Sequence, residues 1–339
     1  MSAERVTVLM PVYNGASFLR EAIQSVLDQT FSDFSFLIIN DGSTDKSDKI
    51  IKKFNDRRIR YVSHEFNRGL IATLNEGLEL ATGEYIIRMD ADDISFPQRF
   101  EKQIAFMEAN PDIAISGTSL SVIGSNELIA YPETNEACKV MLLYNTVMGH
   151  PSVIMRREQI LAAGLKFDCT ALHAEDYKFW TDAEIKGLKI GNLAEALVAY
   201  RKHGGQISAV AYERQQETVR QVRLEYVRHF FGEIIDGNAR VYKAFSEKAI
   251  NTFVDFKAAV EIMGAMQEEN NQKKYFDTVA FNLYMNDLLQ SAAFRIYVLC
   301  TDCNLSKLKQ AFFDRYFYKT TTLPQKAKFI FRSIKNTFS

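Results

Sequence analysis

The sequence predicts an α/β protein with a mainly parallel, mixed sheet flanked by helices, followed by an all-helical region. Four short apolar segments each precede a stretch in which apolar residues recur at helical spacing. These segments are residues 6–12, 34–40, 59–63 and 85–89. Near-continuous apolar strands that alternate with helices are typical of a parallel sheet covered on both faces. From about residue 211 the strand signals stop and long helical patterns follow, so we expect two domains, 1–210 and 211–339.

The segments between the strands carry the helical signals. Ser43 to Asp45 offer N-caps for a helix that ends near Phe54. Other helices of the first domain are predicted at 18–27, 70–81, 99–109, 136–144 and 175–186. Further strands are predicted at 112–117, 120–123 and 194–201, with a hairpin partner at 127–131 and a turn into a strand at 148–157. The second domain has helical patterns at 213–231, 238–263, 273–287 and 292–317, and after Pro324.

The composition is that of a globular protein, with 47% hydrophobic and 24% charged residues and a net charge of −1. A nearly neutral chain has no basic field, which argues against a nucleic-acid partner. The sequence shows no signal-peptide pattern and no apolar run of about 18 residues, so we expect a cytoplasmic protein without a spanning helix. The four cysteines are scattered, and the lone C-x-x-C at Cys300 and Cys303 predicts reduced packing thiols rather than a zinc site.

Three carboxylates follow the fourth apolar segment within four residues. Asp90, Asp92 and Asp93 come directly after residues 86–89. Like charges at the end of a buried strand repel one another, and their burial is costly unless a cation or hydrogen-bond donors compensate. Carboxylate oxygens suit hard cations such as Mg²⁺ or Mn²⁺. The spacing alone leaves two interpretations open, a divalent metal site and a solvated acidic turn.

The other predicted parallel strands also end in polar loops, at 11–15, 41–45 and 64–69. Ligands of open α/β sheets bind beyond the carboxyl ends of the strands, so these loops predict a common site. Several nucleotide and hydrolase motifs are missing. The sequence has no G-x-G-x-x-G after the first strand, no P-loop, no aspartate placed for an aspartyl-phosphate mechanism, and no G-x-S-x-G.

Seven short motifs, in this order, resemble the family 2 glycosyltransferases of the GT-A fold. They are Pro11-Val12-Tyr13-Asn14, Asn40-Asp41-Gly42-Ser43-Thr44-Asp45, Asn67-Arg68-Gly69-Leu70 with Ala72 and Asn75, Asp90-Ala91-Asp92-Asp93, Gly149-His150-Pro151-Ser152, Glu175-Asp176 and Tyr200-Arg201-Lys202-His203. The resemblance covers about residues 5–208, and the helical region that follows resembles no family. A GT-A catalytic domain is therefore expected over 1–210.

The resemblance implies a role for each motif. Asp176 would be the general base, with Glu175 beside it. Asp92 and His203 would hold the metal, and Asp90 would contact the ribose or the water shell of the metal. The residues implied for binding the nucleotide-sugar are Pro11, Tyr13, Asn14, Asp41, Ser43, Arg68, Asp90 and Ala91. Asp41 would accept a hydrogen bond from the base, and the donor or acceptor pocket would include Asp93, His150 and Trp180.

Purely structural roles remain as alternatives for several of these residues. Glu175 and Asp176 occupy a first helical turn, where acids often act as caps. His150 precedes Pro151 and is equally suited to fixing a turn. Trp180 lies one helical turn after Asp176, where the pattern favours packing in the core, with stacking on a sugar as the alternative.

The activity implied is that of an inverting, metal-dependent glycosyltransferase. It would use Mn²⁺ or Mg²⁺ to move a hexose from a UDP-sugar to a saccharide acceptor, lipid-linked, in O-antigen or capsule biosynthesis. Two other classes are alternatives: a non-catalytic nucleotide-sugar-binding or scaffold protein, and a nucleotidyltransferase. The latter wants a Gly/Arg-rich triphosphate segment in the first loop, which the sequence lacks.

The last segment, 306–339, is basic and aromatic. It contains eight Lys or Arg residues and a single acid, Asp314. An amphipathic helix of this kind can lie on an anionic membrane, which would place the protein at the inner face of the cytoplasmic membrane. The residue pattern alone favours the other interpretation, in which the aromatic residues pack on the preceding helices while the basic face is solvated.

Overall fold

The computed structural model describes residues 4–204, 212–246, 249–250, 252–299 and 323–338. The chain forms two compact units, Met1–Tyr226 and Val227–Ser339. The sequence-based boundary near residue 210 stays a prediction, and each unit is described by itself.

A nine-stranded mixed sheet forms the centre of the first unit. Its strands are β1 Val6–Val12, β2 Phe34–Asn40, β3 Ile59–Ser63, β4 Tyr85–Arg88, β5 Ile94–Ser95, β6 Ile113–Val122, β7 Leu128–Ile129, β8 Ile154–Arg156 and β9 Lys189–Tyr200. The order is β3-β2-β1-β4-β8-β6-β9-β5, with β7 on β6. β1 to β4 pair in parallel, whereas β8 runs antiparallel to β4 and β6. The predicted fold class is confirmed.

Seven α-helices belong to the described part of the sheet domain up to β9. They are α1 Leu19–Leu27, α2 Ser47–Ile51, α3 Leu70–Leu80, α4 Arg99–Ala109, α5 Asn135–Met141, α6 Arg157–Ala162 and α7 Glu175–Ile185, and a 3₁₀ turn spans His150–Ser152. The short helix α6 was not predicted, because six residues are too few to show a helical repeat. β6 was predicted as two strands; it is continuous because Thr118 and Ser119, which interrupt the apolar pattern, are buried polar residues.

The strands at the centre of the sheet are buried on both faces. Every residue of β1 and β2 is buried, and Met10 and Ile38 pack with α1 residues such as Ile23 in one core. On the helix α3, Gly77 allows close approach to β1. A Cβ atom at Gly77 would lie 2.3 Å from a methyl group of Leu9. This packing fixes the loops that leave the carboxyl ends of the strands.

The second unit is helical in its described residues. The helix α8 Tyr212–Asp236 continues from the first unit and is kinked at Phe231; the helices that follow are α9 Ala239–Ser246, α10 Phe253–Lys273, α11 Thr278–Phe294 with a π-helical end at Arg295–Leu299, and α12 Leu323–Phe338. Phe231, Phe276 and Phe281 stack at 5.3–5.9 Å between ring centroids. The helix predicted at 238–263 is two helices. The one predicted at 292–317 lies mostly outside the described residues.

The described residues can be checked for membrane-spanning helices and for disulfide bonds. Over the ranges that the structure describes, no helix has the length and apolar character needed to cross a bilayer. Cys138 is buried and Cys169 is exposed, both as unbridged thiols. Cys300 and Cys303 lie outside the described residues.

Glu184 in α7 is a buried carboxyl group remote from the loops at the sheet edge. It is 8% exposed, and its Oε1 atom has no hydrogen-bond partner within the described ranges. Burial raises its pKa to about 8, helped by Glu136 and opposed by Lys139, Lys189 and the N–H of Ile190. The neutral acid is therefore the form that the fold favours.

We predict that Glu184→Gln abolishes a loss of stability at alkaline pH. The folded pKa of about 8 exceeds the reference value of 4.5, so the stabilisation is complete below that value and is lost as pH rises through the folded pKa. At about pH 9, above both pKa values, the Gln variant should be more stable than the wild type by about 5 kcal/mol. Urea unfolding at about pH 5 and pH 9 measures this. Glu79→Gln, which changes an exposed glutamate, is the control. If wild type and Glu184→Gln lose the same unfolding free energy between about pH 5 and pH 9, the prediction is contradicted.

Candidate active site

The loops after β1 and β2 are joined by short hydrogen bonds. The N–H of Asn14 donates to Ser43 Oγ at 2.9 Å, and Asn14 Oδ1 accepts from the N–H of Thr44 at 2.9 Å. Asn14 has a left-handed φ of 51°, which asparagine tolerates. Tyr13 is 52% exposed on the rim, whereas Pro11 is buried within β1. Four of the predicted nucleotide residues thus lie at one edge of the sheet.

Asp41 ties the loop after β3 to the same edge. It is 3% exposed and accepts hydrogen bonds from the backbone N–H groups of Arg68 and Gly69, both at 2.8 Å. The neighbouring Gly42 has a φ of +66°, and a Cβ atom there would lie 2.3 Å from the carbonyl carbon of Phe66. Only glycine permits this close approach. The Arg68 side chain is half-exposed and pairs with Glu76 at 2.6 Å.

Asp90, Asp92 and Asp93 form a compact acidic cluster, with one oxygen from each lying within 4.8 Å of the others. Asp93 is fully buried; its Oδ1 accepts from the N–H of Arg201 at 2.8 Å, and its Oδ2 lacks a partner among the residues described. Burial, with Asp90 and Asp92, raises the pKa of Asp93 to about 8. Burial and Asp90 also raise the pKa of Asp92. A buried, unpartnered oxygen in a hard-ligand cluster fits Mg²⁺ or Mn²⁺.

His203 lies beside this cluster. Its Nε2 is 2.9 Å from Asp92 Oδ2, and its ring packs on Phe18 at 5.0 Å between centroids. Arg201 donates from Nε to the Asp92 carbonyl at 2.9 Å and stacks on the same Phe18 ring. The antiparallel pairing of β5 with β9 returns the chain to this point. The structure therefore brings Asp92 and His203 together, as the motifs predicted.

Arg88 is a functional candidate that the sequence reasoning missed. It is 2% exposed at the end of β4, forms an ion pair with Asp90, and its Nε has no hydrogen-bond partner in the described part of the chain. Its charge lowers the pKa of Asp92 and Asp93 and also of Glu175 and Asp176, against the larger effect of burial. In the sequence, Arg88 could have been recognised as a single charged residue within an otherwise apolar strand.

A second buried arginine lies behind Arg88. Arg99 is fully buried at the start of α4, where it donates to the Arg88 carbonyl and to Gln103 Oε1, both at 2.8 Å. Gln103 in turn donates to the Ser152 carbonyl at 2.7 Å. Burial lowers the pKa of Arg99 to about 9. This network links the acidic loop to the 3₁₀ turn that begins at His150.

Glu175 and Asp176 open α7. Asp176 Oδ1 accepts from the N–H of Tyr177 at 2.7 Å. Burial raises the pKa of Asp176, and burial together with Asp176 raises the pKa of Glu175 to about 7. The charge of Asp90 adds a smaller increase to the pKa of both acids, and the charge of Arg88 lowers it. The loop before α7 is held to α3, since Asn75 exchanges two hydrogen bonds of 2.9 Å with Phe167.

His150 and Trp180 lie in an aromatic cluster. The ring of His150 is 5.5 Å from Phe167 and 6.0 Å from Trp180 between centroids. Burial, with a contribution from Arg88, lowers the pKa of His150 well below its usual value, so the imidazole is neutral at physiological pH. Trp180 is fully buried. The geometry favours core packing for Trp180, and its pocket role stays a prediction.

Comparisons with known proteins match this chain to one enzyme class. The family model for glycosyl transferase family 2 matches residues 7–165. An uncharacterized glycosyltransferase of Haemophilus influenzae is 34% identical over 244 residues, covering 68% of this chain and 75% of that protein. The O-antigen biosynthesis glycosyltransferase WbnJ of Escherichia coli is 31% identical over 220 residues, covering 62% of this chain and 85% of that protein. The chain belongs to glycosyl transferase family 2 and is a glycosyltransferase.

Solved structures confirm the GT-A fold. The crystal structure of S. aureus TarS residues 1–349 in complex with UDP-GlcNAc superimposes with a TM-score of 0.57 and 18% identity, covering 86% of this chain and 93% of that one. At this identity the likeness concerns the fold alone. Neither the non-catalytic nor the nucleotidyltransferase alternative gains support from these relatives.

We predict that Arg88→Met destabilises the protein by about 3 kcal/mol, because it leaves Asp90 and its neighbours without their buried cation. Arg88→Lys retains the charge and should lose less. Urea unfolding at neutral pH measures both changes. Arg60→Met, which removes an exposed hydrogen bond to the Leu80 carbonyl, is the control. An equal effect of Arg88→Met and Arg60→Met would contradict the prediction.

Proposed function

We propose that the protein is an inverting, metal-dependent glycosyltransferase that moves a hexose from a UDP-sugar to a saccharide acceptor. The observation that supports this most directly is the acidic cluster that directly follows β4, where Asp90, Asp92 and Asp93 lie together and His203 contacts Asp92. Glu175 and Asp176, at the start of α7, form a second acidic group. One group suits a donor diphosphate and its metal, and the other suits proton removal.

On the donor side, Asp92 and His203 would hold the metal, with Asp90 beside them. A divalent cation bound there supplies positive charge to the leaving diphosphate. Asp93 accepts a hydrogen bond from the backbone N–H of Arg201, and Arg88 forms an ion pair with Asp90. The nucleotide would lie against the loops after β1, β2 and β3, which carry Pro11, Tyr13, Asn14, Asp41, Ser43 and Arg68, with Ala91 on the acidic loop. TarS was crystallised with UDP-GlcNAc, which makes a UDP-sugar the first donor to test.

On the acceptor side, Asp176 would take the proton from the attacking hydroxyl group. A general base works best when its pKa lies near the operating pH, and burial raises the pKa of Asp176 in that direction. The acceptor oxygen attacks the anomeric carbon as the bond to the diphosphate breaks. This single displacement inverts the carbon and needs no protein nucleophile. An α-linked UDP-hexose would give a β-linked product.

The relatives indicate the kind of product. WbnJ is named for O-antigen biosynthesis, and AmsE of Erwinia amylovora, 30% identical over 202 residues, for amylovoran biosynthesis. We therefore assign this chain to surface-polysaccharide assembly in the cytoplasm, with a lipid-linked saccharide as acceptor.

The helix α12 supports a membrane location. Leu323, Ala327 and Phe331 recur every four residues and are exposed, with Leu323 83% and Phe331 73% exposed. Lys328 is exposed beside them, whereas Phe329 is buried against Tyr297 at 5.2 Å between centroids. The aromatic residues thus divide between packing and exposure. The exposed apolar row with adjacent lysine fits an anionic bilayer surface. Residues 306–322 of the predicted tail lie outside the described ranges.

We predict that Asp176→Asn lowers sugar transfer at least about a hundredfold, because the base is lost. Asp92→Ala or chelation of divalent cations should also abolish transfer. Release of UDP from UDP-hexoses in the presence of acceptor extracts measures the rate. Asp182→Asn, an acid of α7 paired with Lys178, is the matched control. Full activity of folded Asp176→Asn and Asp92→Ala would refute the proposed mechanism.

The donor can be identified by thermal shift. A panel of UDP-, GDP- and dTDP-sugars, each with and without Mn²⁺, reports which ligand raises Tm. Ligand at about 100 times Kd stabilises by about 2.7 kcal/mol. A larger shift with UDP-sugar plus Mn²⁺ than with either alone is the expected result. A shift confined to another nucleotide would replace the donor assignment.

We predict that Phe331→Ser and truncation before Ser306 both reduce sedimentation of the protein with vesicles that contain anionic lipid, because the exposed apolar row is weakened or removed. Val279→Ser, an equally exposed apolar residue of α11, is the control and should leave sedimentation unchanged. Binding that survives truncation would exclude the tail as the membrane contact.

A further inference from the structure

His64, which the sequence reasoning gave no role, bridges two acids at the predicted nucleotide pocket. Its Nδ1 is 2.7 Å from Asp41 Oδ1, and its Nε2 is 3.0 Å from Glu76 Oε2. The His64 side chain is only 7% exposed. A carboxylate only accepts hydrogen bonds, so the N–H at Nδ1 of His64 donates to Asp41. On the other side of the ring, Nε2 lies 3.3 Å from Arg68 Nη1 as well as beside Glu76, and Arg68 donates to Glu76.

The partners of Asp41 determine which of its lone pairs stays available. Oδ1 accepts from His64 Nδ1 and from the N–H of Arg68, while Oδ2 accepts from the N–H of Gly69. A carboxylate has about four acceptor positions. Three of them are used by these bonds, and the fourth belongs to Oδ2. With Oδ1 fully engaged, the carboxylate cannot rotate without breaking two hydrogen bonds.

The remaining lone pair on Asp41 Oδ2 predicts which nucleotide base can hydrogen-bond to Asp41. An oxygen lone pair attracts a ring N–H, such as N3–H of uracil, and repels a ring nitrogen with its own lone pair, such as N3 of cytosine. A site whose buried acceptor is fixed discriminates strongly, because the wrong base leaves it unpaired. The two bases differ at this edge and are otherwise alike in size.

We propose that His64, held by Glu76, is a positioning residue that fixes Asp41 as the acceptor for a base N–H and so makes the enzyme prefer uridine over cytidine donors. The inference rests on the proposed function, in which Asp41 contacts the base of the donor. His64 itself does not touch the reacting atoms.

Binding of UDP and CDP to the full-length protein, measured by isothermal titration calorimetry with Mn²⁺, tests the proposal. His64→Leu removes the donor and should weaken UDP binding about tenfold while CDP changes little, so that the UDP/CDP preference falls. His64→Asn places an amide N–H near the position of Nδ1 and should restore most of the preference. His64→Gln, whose amide reaches the Nε2 position, should not. His229→Leu, an exposed histidine of α8, is the control.

Each result decides between the two proposals. If wild type prefers UDP and all His64 variants keep that preference, the positioning role is wrong while the UDP-sugar assignment stands. If wild type binds neither nucleotide, or both equally, the donor assignment fails and the inference with it. Circular dichroism and thermal melting check folding. Should His64→Leu not fold, Glu76→Gln, which weakens the support of His64, must lower the UDP/CDP preference for the proposal to hold.

Discussion

The pairing of the buried Arg88 with the partly exposed Asp90 is the interaction on which the acidic loop depends. Three carboxylates at the end of a strand would repel one another, and each would lose hydration on burial. Arg88 supplies a cation from within the sheet, and Arg99 anchors the Arg88 carbonyl from behind. Burial, and after it the charges of Asp90 and Asp92, raises the pKa of Asp93 in spite of Arg88. The fold thus holds an acidic cluster that one more cation would satisfy.

The topology then assembles the rest of the site around that cluster. The pairing of β5 with β9 brings His203 to Asp92, although the two are 111 positions apart. The two hydrogen bonds between Asn75 and Phe167 hold the segment before α7 against α3. The predicted site residues therefore lie on loops that different strands position, and such loops can vary while the sheet stays the same.

The polar loops at the sheet edge owe their shape to buried hydrogen bonds rather than to packing alone. Asp41 joins two loops through backbone N–H groups, and Gly42 permits their close approach. His64 and Glu76 extend that connection to α3. Asp41 thus fixes the positions of both loops through its own hydrogen bonds. Each of these buried polar groups needs its hydrogen-bond partner, because an unpaired polar group in the interior is destabilising.

The sequence by itself determined the strands β1, β2 and β3 to the residue, because a parallel strand buried on both faces leaves a local apolar run. It also located the acidic cluster and, through the order of the motifs, His203 and Asp176. Only the tertiary structure decided what their neighbours do. The continuity of β6, the burial of Trp180, the cation Arg88 and the bridge formed by His64 all depend on partners that lie far away in the chain. The local sequence pattern shows which segments are apolar enough to be buried. It does not show which distant residue will hydrogen-bond to a buried polar group, because only the tertiary fold brings the two together.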